Sequence, residues 1–185
     1  TFARYLYEQR LTHHQTVGFL DADVGQNALE IPTTIAVALN APDQSPTFPP
    51  TGLRQVCFVG HNTPVGRTET LLIGLYRLWL FALQEHTGAL VVDTSGFVNA
   101  EHGAAELKWA QVALFRPCTV VALEQVDELA PILNPLRHLP GVRLIELPVC
   151  EAVRARSREA RRAYRAACYR AYFKEAKRVP LPYQN

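Results

Sequence analysis

What most constrains this chain is an alternation. Short apolar runs rich in β-branched residues, "VGFLDA" at 17–22, "LRQVCFVG" at 53–60, "ALVVDTSG" at 89–96, "TVVALE" at 119–124 and "VRLIEL" at 142–147, are interleaved with stretches of helical spacing. Phe2, Tyr5, Leu6 and Gln9 start the chain in a helix. Leu71, Leu72, Leu75, Leu78, Trp79 and Ala82 form a strong stripe within 67–85. Residues 101–115 are helical, a helical turn falls near 126–138, and a long amphipathic helix begins at Ser157. Continuous rather than alternating apolar strands, separated by helices, predict an α/β fold: a mostly parallel sheet covered on both faces. The Pro-rich "APDQSPTFPPTG" at 41–52 excludes helix or central strand and predicts a loop.

Such a sheet binds ligands beyond the carboxyl ends of its strands, so the strand ends deserve the closest reading. "VGFLDADVGQ" ends an apolar run in Asp21 and Asp23, with Gln26 following. These carboxylates either cap a turn or serve a nucleotide site, where one can help place Mg²⁺ and another can take a proton. "ALVVDTSG" has the form of a Walker B strand, and its Asp-x-x-Gly resembles the γ-phosphate-sensing loop of GTPases; a turn after a strand uses the same residues. "GHNTPVG" at 60–66 is a third loop after a strand, either plain or able to hold a phosphate through backbone N–H groups and hydroxyls.

Charge separates the two ends of the chain. Of the 19 basic residues 16 are Arg; residues 151–185 carry a balance of +7 and residues 1–150 one of −5. In "VRARSREARRAYRAACYRAYFKEA" at 153–176, Ser157 is a good N-cap and Ala160, Tyr164, Ala167, Cys168 and Ala171 form one stripe. Arg158, Arg161, Arg162 and Arg165 form another, with Arg156 just before the cap. This is either a solvated face or a polyanion site, and guanidinium suits phosphate better than ammonium does. At 48% hydrophobic and 19% charged residues the composition is that of a folded domain. No apolar run approaches a membrane span. The four scattered cysteines fit free thiols in a reducing, cytoplasmic setting, or a nuclear one in a eukaryote. There is no G-x-x-x-x-G-K-[ST] phosphate loop. The chain has no methionine and starts at Thr1, from which we expect a piece of a longer protein.

The ordered set Thr-Phe-x-Arg-x-Leu, "DADVGQ", "GHNTPVG", "DTSGFVN" and "RSREARRAYR" resembles the RNA 5'-hydroxyl polynucleotide kinase family, which includes the kinase subunit of the pre-mRNA cleavage factor and pre-rRNA processing kinases. The resemblance spans nearly the whole chain. It implies a P-loop NTPase-like kinase domain over 1–178 whose Walker A loop lies before Thr1, with 179–185 opening a linker or C-terminal domain. It implies ATP and Mg²⁺ as cofactors and an RNA 5' end as partner, DNA being possible, and it names no protein partner and no membrane. By the resemblance Asp23, Arg156 and Arg161 are catalytic, and Asp21 and Asp23 hold Mg²⁺ through water. Gln26, Asn62, Thr63, Pro64, Thr94, Phe97, Arg162 and Arg165 bind substrate. Asp93 and Phe97 stand where the family has Asn and a base-stacking Trp. A nucleotide-binding assembly factor that transfers nothing, and a metal-chaperone-like GTPase, are the alternatives.

Overall fold

The computed structural model describes residues 1–13, 16–40, 47–154, 156–177 and 179–180. Residues 181–185 of the tail expected at 179–185, and residues 41–46, half of the Pro-rich stretch, lie outside the described residues. Helix α1 (Phe2–Arg10) leads into β1 (Val17–Asp21), β2 (Thr34–Leu39) and β3 (Arg54–Phe58). Then come α2 (Thr68–Gln84), β4 (Ala89–Asp93), a 3₁₀ turn (Ala100–His102) and α3 (Ala104–Phe115). The chain closes with β5 (Thr119–Glu124), α4 (Ala130–Leu136), β6 (Arg143–Pro148) and α5 (Arg158–Tyr172).

The α/β class expected from the alternation is what the chain adopts, but the sheet is mixed. Four strands run in the order β3-β2-β1-β4, and β5 pairs with β6 separately. The β1–β4 and β5–β6 pairs are parallel, whereas β2 is antiparallel to both β1 and β3. The antiparallel character comes from β2, "TIAVAL", a strand the sequence reading did not contain. All six of its residues are buried, so it shows no period of two, and its alanines are weak strand formers.

Side chains leave β1 and β2 on opposite faces in turn. Leu20, Ile35, Val37 and Leu39 pack under Leu71, Leu75 and Leu78 of α2 and Leu107 of α3. On the other face, Val17, Phe19, Ala36 and Ala38 meet Tyr7 of α1 and Phe48. Gly74 lets α2 come this close, since a Cβ there would lie 2.8 Å from the Ile35 Cδ1. Helix α3 is apolar around most of its circumference because it packs two ways. Leu107, Leu114 and Phe115 join the α2 cluster, and Ala105, Trp109 and Val112 join Ile132, Leu133 and Leu136 of α4. No helix among the described residues is long and apolar enough to cross a membrane.

Candidate active site

Parallel pairing of β1 with β4 sets Asp21 beside Asp93, and the Ala22 N–H donates to the Asp93 carbonyl at 2.8 Å. Both strands therefore end at the same edge, and their carboxylates meet there. The chain then turns on side chains rather than on backbone ladders. Asp21 Oδ1 accepts from the Asp23 N–H (2.9 Å) and Oδ2 from the Ala28 N–H (2.6 Å). Asp23 Oδ1 accepts from the N–H groups of Gly25 (2.8 Å) and Gln26 (3.1 Å). Asn27 Oδ1 accepts from those of Leu29 and Glu30, and its Nδ2 donates to the Thr34 carbonyl. Short side chains bonding to N–H groups two or three residues on are what Asp and Asn do well in turns.

The two carboxylates so have different situations. Asp21 is 2% exposed with both oxygens engaged. Burial pushes its carboxyl up to about 7 against those two backbone bonds, with Asp93 and Asp23 adding repulsion. Asp23 is half-buried, and its Oδ2 has no hydrogen-bond partner among the described residues. Burial also raises Asp93, as does the charge of Asp23. Of the pair expected to reach Mg²⁺, Asp23 presents an open oxygen, and Asp21 lies behind it and fixes its backbone.

The 60–66 loop closes on this turn: a Cβ on Gly25 would lie 3.0 Å from the Asn62 carbonyl oxygen. Asn62 is exposed, and Thr63 exchanges backbone contacts with the His61 ring. Pro64 is buried; its carbonyl accepts from the Arg67 N–H and the Thr68 hydroxyl at the entry to α2. After β4, Thr94 is exposed, and Phe97 is half-buried against the α2 cluster, one face of its environment being core. The structure adds a residue absent from the sequence reading. Lys108 of α3 donates from Nζ to Thr94 Oγ1 (2.9 Å) and to the Ser95 carbonyl (2.6 Å). Its signal was available, since it is the one lysine before Lys174.

From 130 residues away, Arg156 Nη1 donates to Gln26 Oε1 at 3.1 Å, and its guanidinium stacks 5.5 Å over the Tyr164 ring. Helix α5 starts as expected, with Ser157 Oγ accepting from the Ala160 N–H. It docks on the turn through two phenols: Tyr164 donates to the Asn27 carbonyl (3.3 Å) and Tyr169 to that of Pro32 (3.1 Å). Arg161 and Arg162 are exposed and Arg165 is half-buried; none has a side-chain hydrogen bond or ion pair among the described residues. Asp23, Gln26, Asn62 and Arg156 are thus brought to one edge of the sheet.

An α/β sheet with carboxylates at the ends of adjacent parallel strands, overlaid by an arginine-bearing helix, is the architecture of a P-loop-type domain. The chain belongs to the family described as mRNA cleavage and polyadenylation factor CLP1 P-loop, whose model matches residues 1–175. It is similar to the polyribonucleotide 5'-hydroxyl-kinase of Methanocaldococcus jannaschii, 29% identical over 96% of this chain and 47% of that protein. The enzyme of the same name from Pyrococcus furiosus is 30% identical over 100% and 50%. The Arabidopsis thaliana protein CLP1 homolog is 26% identical over 90% and 39%. The chain spans about half the length of the kinases it matches. Among solved structures, wild-type Clp1p in complex with Pcf11p has the same fold, with a TM-score of 0.67 and 15% identity over 98% of this chain and 48% of that one.

Proposed function

We propose that in the intact protein this domain takes part in transferring the γ-phosphate of ATP to the 5'-hydroxyl end of RNA, and that residues 1–185 alone are inactive. The observation that carries the reading is the open Oδ2 of Asp23 at the shared edge of β1 and β4, with Arg156 bonded to Gln26 three residues further along the same turn. The 5'-hydroxyl oxygen attacks the γ-phosphorus and a new O–P bond forms. The bond from that phosphorus to the β–γ bridging oxygen breaks, ADP leaves, and the hydroxyl proton passes to Asp23 Oδ2. Asp21 keeps Asp23 in place through the Asp23 N–H. Thr63, Asn62 and Thr94 line the edge where the nucleic-acid end would lie, and Phe97 offers an aromatic face to its base. Arg156 and Arg161 would swing to the transferring group, with Arg162 and Arg165 meeting the phosphates behind it.

Among the described residues no group of three or more His, Cys, Asp or Glu could hold a metal ion. Mg²⁺ keeps several waters and is carried largely by substrate phosphates; the open Oδ2 of Asp23 would reach it through water. When bound it neutralises charge on the phosphoryl oxygens.

In the intact protein, Asp23→Asn keeps an oxygen to accept from Gly25 and Gln26, so the fold should survive. Transfer of labelled γ-phosphate to a 5'-hydroxyl oligoribonucleotide should fall about 10²–10⁴-fold, with a matched DNA oligonucleotide as comparison. Wild-type rates in the variant would remove Asp23 from the chemistry. A second reading, favoured by the cleavage-factor membership of the family, is an assembly factor that binds nucleotide without transfer. Nucleotide binding by the wild type with no labelled product would select it.

A further inference from the structure

The residues assigned so far leave Lys108 without a task. A lysine on a mostly buried helix ordinarily extends its stem to put the ammonium in water. Lys108 turns the other way, under the segment that follows β4. It donates to Thr94 Oγ1 at 2.9 Å and to the Ser95 carbonyl at 2.6 Å. Ser95 is 8% exposed and Thr94 faces solvent at the site. Residues 94–99 belong to no helix or strand, so no backbone ladder fixes their course. Burial pulls the ammonium down to about 8, and the nearby charges of Asp23 and Asp93 act to keep it protonated.

We propose that Lys108 is a positioning residue for the nucleic-acid end: it clamps residues 94–97 to α3, so that Thr94 and Phe97 meet the 5'-terminal nucleotide in one arrangement. The inference rests on the function proposed above. Its physical basis is that two charge-assisted hydrogen bonds from one ammonium replace the ladder the segment lacks. Without them the buried Ser95 carbonyl loses its partner. The helix end of the clamp is rigid, because Leu107 is fully buried and the Trp109 indole donates to the Ile132 carbonyl at 2.9 Å.

The test is Lys108→Met in the intact protein, which preserves the apolar stem and removes both bonds. Hydrogen exchange at the amides of 94–97 should quicken by about tenfold or more, with 107–115 unchanged. The KM for a 5'-hydroxyl oligoribonucleotide should rise about tenfold, while that for ATP moves less than about twofold. Lys108→Arg, which restores a charged donor with more than one N–H, should recover most of both effects. Unchanged exchange at 94–97 would overturn the clamp. Equal rises in both KM values with a lowered Tm would also overturn the inference, by reducing Lys108 to a stabilising group. Wild-type protein that binds no such oligonucleotide would count against the proposed function instead, and the exchange measurement would still decide the clamp.

Discussion

Tyr7 shows how a single atom can stand against its surroundings. Its ring is fully buried and meets Phe19 and Phe48 edge to face, at 5.9 and 6.1 Å between centroids. Its hydroxyl has no hydrogen-bond partner among the described residues, and burial pushes its pKa up to about 12. A buried hydroxyl that forfeits water without a replacement costs about 1–3 kcal/mol. Tyr7→Phe removes that cost and keeps the ring packing, so chemical denaturation should find the variant more stable by about 1 kcal/mol; a loss of stability would mean the hydroxyl has a role in the intact protein. Asp21 and Asp23 give the complementary case, because two residues of the same type diverge through position alone. Asp21 is the last residue of β1, under the turn, and spends both oxygens on the backbone. Asp23 is two residues further and keeps one oxygen open. The motif was readable in the chain; which carboxylate faces the site was not, since hydrogen bonds to Ala28 and burial under the turn exist only after folding.

At the scale of elements, α5 is attached more lightly than the rest. None of its residues is fully buried, and it reaches the turn after β1 through Tyr164, Tyr169 and the Arg156–Gln26 bond. The Arg156–Gln26 bond is exposed and the two phenol bonds are part-buried; each is worth about 1 kcal/mol, which suits the lid role proposed above. If its arginines only solvate a surface, removing any one should be nearly silent. As a lid over the transferring phosphoryl group, Arg156→Ala and Arg161→Ala in the intact protein should each lower turnover about 10³-fold with the melting temperature unchanged. Arg158→Ala, at the start of α5 between those two arginines, should stay near wild type. Small and equal effects from all three would return α5 to a solvated face and favour the assembly-factor reading. The helix and its cap were legible because Ser157 and the period of 3.6 are local signals. Strand β2 was not, because burial on both faces erases the alternation by which strands are read.

For the molecule as a whole, the β1–β4 edge supplies carboxylates and hydroxyls, but residues 1–185 contain no Gly-rich loop with Lys and Ser/Thr to wrap phosphates. Backbone N–H groups at such a loop provide much of the grip on a nucleotide. Calorimetry on residues 1–185 alone should therefore show no micromolar binding of Mg·ATP, and a micromolar constant would mean that the loops described here make a cradle of their own. By itself the amino-acid order determined the α/β class, most of the elements and the motifs at 21–26, 62–64 and 94–97, because periodicity, caps and turn chemistry act over a few residues. Tertiary structure alone decided three things: the antiparallel insertion of β2, the meeting of Arg156 with Gln26 across 130 residues, and the turn of Lys108 toward Thr94 and Ser95. Each depends on which strand lies beside which, and that choice is made by burying the faces of the whole sheet at once rather than by any local preference.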